Sequence, residues 1–326
     1  MRHLSRRELL KVGVATAVLA RTARAATSPV YLIHTSNREE GIRRGLAALG
    51  MPAAKGKHVV IKPNFNSADP YPASTHLDTL GTLVRQLQAA VASEISVADR
   101  SGMGNTRKVM ERKGVFAQAK LLSYDAVVMD ETPMEGWAEE RLAGSHWSRG
   151  VLFPRLFQEA DLLVQTCCLK THRYGGHFTL SLKNSVGVVA KYSPRDSYNY
   201  MGELHGTSHQ REMIAEINQL YRPAMVVMDG LEAFTDGGPE SGTLVKPEVM
   251  LLGTDRVAMD AVGVAILRLH GGNPTISRGR VFEQEQIARA VQLGLGARGP
   301  EQIDLITEDP ESKRLAERVR EVLTRA

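Results

Sequence analysis

The chain has 326 residues, of which 43% are hydrophobic and 24% charged, a composition typical of a globular protein. Its 41 lysines and arginines outnumber its 36 aspartates and glutamates, but residues 1–25 hold six of the basic residues and one acidic residue. The remainder carries 35 of each sign and has no basic run interleaved with aromatics, which excludes the usual charge-based case for nucleic-acid binding.

The first 25 residues have the order of a twin-arginine (Tat) export signal. Arg6 and Arg7 precede a short, mildly apolar stretch, Val12–Ala20, and the small-residue cleavage site Ala23–Ala25. The apolar stretch is shorter than the roughly 20 residues that span a bilayer. We therefore expect residues 1–25 to be a removed signal, with no stable membrane anchor after cleavage. The predicted partner is the Tat translocase, and the predicted location is periplasmic.

Short apolar, β-branched runs alternate with longer amphipathic stretches through residues 26–326. Strands are predicted at Val30–His34, His58–Lys62, Glu94–Ala98, Ala126–Met129, Asp161–Leu169, Ala224–Met228, Val249–Leu252 and Ile303–Ile306. Helices are predicted at Arg38–Leu49, Leu77–Val91, Thr106–Lys113, Thr179–Val189, Arg211–Leu220, Arg256–His270, Glu283–Leu293 and Ser312–Thr324. This alternation predicts one large α/β domain with insertions, in which a mainly parallel sheet has helices on both faces in a Rossmann-like layering.

Two segments lack apolar periodicity. Tyr192–Thr207 is predicted to be a long ordered loop or lid, because it combines tyrosines with proline, aspartate and asparagine. Thr132–Gly150 is predicted to be a small insertion.

Polar residues follow five of the predicted strands. In a parallel α/β sheet, ligands bind at the carboxyl ends of the strands. The segments that follow these ends are Lys62–Ser67, Asp99–Gly104, Lys170–His177, Asp229–Pro239 and Gly253–Arg256. Turn chemistry accounts for the glycines, asparagines and aspartates but does not require Lys62, Lys170, His172 or His177. The sequence therefore predicts one polar pocket at the strand ends.

The residue types in this pocket favour capture of a small anion. Ser181–Asn184 lies in the first turns of a predicted helix, where free N–H groups favour a carboxylate or phosphate. The candidate catalytic residues are Lys62, Lys170, His172, Lys183 and Asp229. The candidate substrate-binding residues are Asn64, Asn66, Arg173, Asn184 and Asp255.

Four histidines are candidate metal ligands. His172 and His177 flank a short turn, and His205 and His209 are spaced i and i+4, which would place both on one face of a helix. Together they predict a three- or four-nitrogen site for zinc, copper, nickel or iron. The alternative is that these are solvated loop histidines.

Other cofactors lack their sequence signatures. The two cysteines, Cys167 and Cys168, cannot supply the four thiolates of an iron–sulfur cluster. The glycine spacing after the first strand does not match a nicotinamide fingerprint, and no Walker sequence is present. We therefore discount nicotinamide oxidoreductase and kinase functions.

Four segments, in order, resemble the DUF362 family. They are Ile61–Asn64, Leu169–His172, Ser181–Gly187 and Gly253–Gly263, and the resemblance covers about residues 57–270. Because the family is defined by sequence, the resemblance implies no particular reaction. Many members also carry a ferredoxin-like domain with cysteine quartets, which this chain lacks.

Three function classes remain open from the sequence. The first is an exported enzyme that acts on a small anionic substrate with the help of a transition metal of unspecified identity. The second is a non-catalytic protein that binds a metal or solute, matures a cofactor or serves as a redox partner. The third is a structural or interaction protein.

Overall fold

The computed structural model describes residues 27–102 and 104–325. Arg6, Arg7 and the cleavage site lie outside these residues, so export stays a prediction. Among the described helices, none combines the length and apolar character that crossing a membrane requires.

The main sheet has ten strands, and the eight that form its continuous order were all predicted. They are β1 (Ser28–His34), β2 (His58–Lys62), β3 (Glu94–Asp99), β4 (Asp125–Val128), β7 (Leu162–His172), β9 (Met225–Gly237), β11 (Val249–Gly253) and β12 (Ile303–Ile306). Four strands that were not predicted are β5 (Trp137–Glu140), β6 (Val151–Pro154), β8 (His177–Thr179) and β10 (Gly242–Val245).

The described residues also form twelve α-helices. They are α1 (Arg38–Leu49), α2 (Leu77–Ala89), α3 (Thr106–Lys113), α4 (Val115–Leu122), α5 (Arg155–Glu159), α6 (Ser181–Asn184), α7 (Tyr200–His205), α8 (Gln210–Ile217), α9 (Arg256–Leu269), α10 (Pro274–Ser277), α11 (Glu285–Gln292) and α12 (Pro310–Thr324). Side-chain caps fix several starts: Asn37 accepts from the Glu40 amide at α1, and Asn105 accepts from the Lys108 amide at α3.

The strand order is β12-β1-β11-β9-β7-β2-β3-β4. From β9 to β4 all neighbours pair in parallel, whereas β11 runs antiparallel to both β9 and β1. β8 and β10 add antiparallel hairpins to β7 and β9, and β5 and β6 form a separate two-stranded sheet. The predicted mainly parallel α/β fold is confirmed, with one reversed strand that affects the site.

Helices cover both faces of the sheet. Alternate residues of a strand point to opposite faces, and neighbours along one strand accordingly belong to different cores: Val226 and Met228 to one, Val227 to the other. α9, α11 and α12 contribute to the first core, and α1, α2 and α3 to the second. The predicted covering of both faces is thus confirmed.

Three predicted segments have a different local structure. The predicted helix Thr179–Val189 is the end of β8, the single turn α6 and a 3₁₀ turn at Ser185–Val188. The predicted loop Tyr192–Thr207 contains α7, whose Asn199 cap accepts from the Gly202 amide. Thr132–Gly150 contains β5, which pairs with β6.

Candidate functional site

A cleft of about 1040 Å³ opens at the carboxyl ends of β2, β3 and β7. The predicted site residues that line it are Lys62, Asn64, Asn66, Lys170, His172, Lys183, Asn184 and His205. They come from the strand ends, α6 and α7, so the fold brings together residues that are more than 140 positions apart in the chain.

Asp229 was expected in this pocket, but it lies inside β9 and not at its end. β9 continues to Gly237, and the buried Asp229 carboxylate accepts hydrogen bonds from Arg38 Nε at 2.8 Å, Tyr71 OH at 2.6 Å and Thr79 Oγ1 at 2.6 Å. Asp229 therefore ties β9 to α1, α2 and the loop before α2.

Asp255 is also placed away from the cleft. Because β11 is antiparallel to its neighbours, its carboxyl end lies at the opposite edge of the sheet. There Asp255 caps α9, accepting from the Val257 amide at 2.8 Å, and also accepts from Ala297 N at 2.7 Å. Its position is that of a helix cap and does not support the expected substrate contact.

Arg173 does not line the cleft, but it contacts two residues that do. Its guanidinium is exposed and pairs with Glu240, while Tyr174 OH donates to Glu240 Oε1 at 2.9 Å. Tyr174 and Glu240 do line the cleft. Arg173 thus holds the side chains of two cleft-lining residues, Tyr174 and Glu240, in place.

The four histidines do not converge. His172 and His205 line the cleft, but His177 and His209 do not. The i, i+4 expectation is wrong because α7 ends at His205 and α8 begins at Gln210, so the two histidines belong to different helices. His209 instead stacks on His146 with ring centroids 4.2 Å apart. Across residues 27–102 and 104–325, no three His, Cys, Asp or Glu side chains are grouped to hold a metal ion.

Lys62 forms a buried ion pair with Asp99, and both residues line the cleft. Its Nζ lies 2.6 Å from Asp99 Oδ1 and donates to Pro63 O at 2.6 Å and Asn184 Oδ1 at 3.1 Å. Burial lowers the pKa of Lys62 and raises the pKa of Asp99, while their mutual attraction opposes both shifts. A Cβ at Gly187 would lie 2.8 Å from Lys62 Nζ, so only glycine allows the 3₁₀ turn to approach this pair.

Lys170 is fully buried and is held by backbone carbonyls. Its Nζ donates to Pro72 O at 3.1 Å and to Ala73 O, and no carboxylate of the described residues forms an ion pair with it. Burial lowers the pKa of Lys170.

Lys183 differs from these two lysines. It is 7% exposed, and its ammonium makes no hydrogen bond or ion pair with any residue the structure describes. Burial, reinforced by the positive charges of Arg100 and Lys170, lowers the pKa of Lys183 to about 7. Lys183 therefore exchanges its proton near neutral pH.

His172 lies beside Lys183. A Cβ built on Gly176 would be 2.5 Å from Lys183 Cε and 3.1 Å from His172 Nδ1, which places the two side chains next to each other. Burial, reinforced by Lys183, lowers the pKa of His172 well below its usual value, so the imidazole is neutral at pH 7. Its Nδ1 is buried and has no hydrogen-bond partner within the described part of the chain.

Asp260 positions the turn that carries Lys183. Its carboxylate accepts from Ser181 N at 2.8 Å and Leu182 N at 3.0 Å, and also from the Ser181 hydroxyl. Burial raises the pKa of Asp260 to about 7. Asp260, from α9, thus accepts hydrogen bonds from the first two amides of α6 and holds the start of this turn in place.

Two residues without an assigned role in the sequence analysis belong to the cleft. Asp99 and Arg100 stand at the end of β3, and the rule that selected Lys62 could have selected them. Arg100 is buried and donates to Val189 O at 2.7 Å and Ser101 O at 2.8 Å.

A family model described as "Domain of unknown function (DUF362)" matches residues 59–265, more than half of the chain. The chain belongs to the DUF362 family. The match includes every residue that lines the cleft of this DUF362 protein, from Lys62 to Glu240.

Comparison with other proteins adds little to the family match. None of the curated proteins matches this DUF362 chain. Among solved structures, it is similar to the lactate racemase apoprotein from Thermoanaerobacterium thermosaccharolyticum, at 15% identity and a TM-score of 0.41. The alignment covers 91% of this chain and 87% of the other.

Proposed function

We propose that this DUF362 protein is an enzyme that binds a small anionic molecule in the cleft and transfers protons to and from it. The observation that carries the proposal is that Lys170 and Lys183 are both buried in one cleft without a carboxylate partner in the described residues. A buried charge is costly unless it is paired. An anionic ligand would supply the missing partner.

The charge of the cleft wall supports the same ligand class. Six basic residues line the cleft: Lys62, Arg100, Lys108, Arg112, Lys170 and Lys183. Three acidic residues oppose them: Asp69, Asp99 and Glu240. The excess of positive charge favours a carboxylate or phosphate over a cation.

His172 and Lys183 are the candidate proton-transfer groups. An effective general acid or base has a pKa near the working pH and lies within reach of the bound substrate. Lys183 meets the first condition because burial, with Arg100 and Lys170, lowers its pKa to about 7. The pKa of His172 lies well below that range, so His172 enters the proposal through its position: its neutral imidazole lies beside Lys183, and its Nδ1 has no partner among the described residues.

The donor set does not fit a transition metal held by this chain alone. His172 and His205 line the cleft, but His205 Nδ1 donates to Met201 O at 2.8 Å, and the described residues supply no third ligand beside them. Protein-bound zinc usually has at least three protein ligands. No step of the proposed reaction therefore depends on a metal.

Isothermal titration calorimetry with acetate, lactate, malonate and inorganic phosphate tests the binding. We expect at least one of these anions to bind, and Lys183→Met to weaken it by roughly 10- to 100-fold, since a charge-assisted hydrogen bond contributes about 1.5–3 kcal/mol. The matched control is Lys120→Met, which removes an exposed lysine of α4 and should bind as the wild type does. Equal affinities in all three proteins would rule out the proposed site.

A second readout separates an enzyme from a binding protein. The bound acids are incubated with the protein in D₂O, and loss of their carbon-bound proton signals is followed by proton NMR. We expect exchange with the wild type and none with His172→Ala. Tight binding without exchange of any acid would favour the non-catalytic alternative.

A further inference from the structure

We propose that Lys183 is a covalent capture site, whose ε-amine forms an imine with the carbonyl carbon of a small oxo acid. This inference rests on the proposed function, because it requires the cleft to hold an anion, and it names the substrate class: an aldehyde or ketone that also carries a carboxylate.

The contacts of the buried lysines single out Lys183. Four lysines are buried in the part of the chain that the structure describes: Lys62, Lys170, Lys183 and Lys191. Lys62 is paired with Asp99, Lys170 donates to two carbonyls, and Lys191 binds Asp130 at 2.9 Å. Lys183 alone among the four has no partner in residues 27–102 and 104–325, so none of these residues occupies its amine.

The backbone on either side of Lys183 is held in place. Asp260 fixes the preceding turn through the Ser181 and Leu182 amides, and Asn184 donates from Nδ2 to Thr166 O at 3.0 Å. The flexible part is therefore the side chain itself, which lies in the cleft beside His172. A nucleophile needs this combination of a backbone that is held in place and a reacting atom that the substrate can reach.

Burial and the neighbouring positive charges keep a large share of the Lys183 amine unprotonated at neutral pH. Burial has the largest effect on the pKa of Lys183, and Arg100 and Lys170 also disfavour its protonated form. Only the neutral amine has the lone pair that attacks a carbonyl, and desolvation next to other cations is a known way to activate a lysine.

The reaction balances without an oxidant or reductant. The Nζ lone pair attacks the carbonyl carbon, the C–N bond forms, and the carbonyl oxygen takes a proton. The resulting carbinolamine loses its hydroxyl group as water, and both hydrogens of that water derive from the amine. Neutral His172 can carry the proton from nitrogen to oxygen, and the buried ammonium of Lys170 can pair with the carboxylate of the same substrate.

Reductive trapping tests this inference. The full-length protein is mixed at pH 7 with glyoxylate, pyruvate or 2-oxoglutarate and then with sodium borohydride, which converts an imine into a stable secondary amine. We expect at least one acid to add a single reduced adduct, which peptide mapping places on Lys183. Lys183→Arg should lose at least nine-tenths of the adduct, and the matched control Lys120→Arg should keep it.

Two outcomes would overturn the inference. One is the absence of an adduct on Lys183 with all three acids. The other is an adduct that lies on other lysines and persists in Lys183→Arg. Where that variant does not fold, the peptide map of the wild type still shows whether the adduct lies on Lys183 or on other lysines. Calorimetry with the same three acids shows whether anion binding survives, so failure of the imine is distinguished from failure of the proposed function.

Discussion

Lys183 places a titrating amine where the described residues offer it neither an acceptor nor a counter-ion. In the same cleft, the buried charges of Lys62 and Asp99 instead form an ion pair with each other. Groups whose pKa is shifted far by burial and by specific neighbouring charges cluster at functional sites, and Lys183 is such a group. The sequence identified Lys183 as a candidate site residue. Its lack of a partner among the described residues depends on how α6 packs, which the sequence does not predict.

The unpaired amine should reduce stability below its folded-state pKa. Lys183 has a pKa of about 7 in the folded protein and an ordinary value near 10.5 when unfolded. Between these values the unfolded chain binds more protons, so the Lys183 contribution to stability rises as the pH rises from 7 to 10.5. The destabilisation of the folded protein by Lys183 is greatest below pH 7 and is lost above pH 10.5.

Lys183→Met should therefore stabilise the protein at pH 6, by an amount on the order of a few kcal/mol, and have much less effect at pH 10. Urea unfolding of the wild type and the variant at both pH values measures the difference. Lys120→Met, on the surface, should change stability equally at both. A Lys183→Met variant that is less stable at pH 6 would show that the amine is well accommodated when charged.

At the level of elements, the direction of each strand decides which residues reach the cleft. All eight strands in the continuous order of the main sheet were predicted from apolar runs, because such runs depend on local sequence. The reversal of β11 depends on which strands it pairs with, and that reversal moves Asp255 to the opposite edge. In the same way the extension of β9 to Gly237 leaves Asp229 inside the strand. Pairing and strand length are tertiary properties, so these two assignments failed.

The β7–β8 hairpin was missed because β8 has only three residues, yet it positions the cleft. Gly176 in its turn approaches Lys183 so closely that a Cβ would lie 2.5 Å from Cε. The contact is with the end of a flexible side chain, so Gly176→Ala should fold and push Lys183 out of place. We expect about a tenfold loss of anion affinity in calorimetry.

The matched control for this variant is Gly104→Ala. Gly104 also lines the cleft, but a Cβ there would lie 3.7 Å from Val109 Cγ2, an ordinary contact. Its affinity should match the wild type. If Gly176→Ala binds as tightly as Gly104→Ala, the position of Lys183 does not matter for binding.

At the scale of the whole molecule, the cleft is assembled from segments spread over residues 62–240 that meet at one edge of the sheet. The general rule for parallel α/β sheets placed Lys62, Lys170 and His172 at that edge correctly. The described residues do not form the metal site that the histidine spacing predicted, because the break between α7 and α8 separates His205 from His209. The family match adds that the whole cleft lies within the DUF362 region.

A crystal structure of the protein with selenate tests directly whether this cleft holds an anion. The anomalous signal of selenium locates the ion without reference to any assumed substrate. We expect a peak inside the cleft, within hydrogen-bond distance of Lys183 Nζ or Lys170 Nζ, which disappears in Lys183→Met. Selenate bound only at surface arginines, with no peak in the cleft, would contradict this expectation.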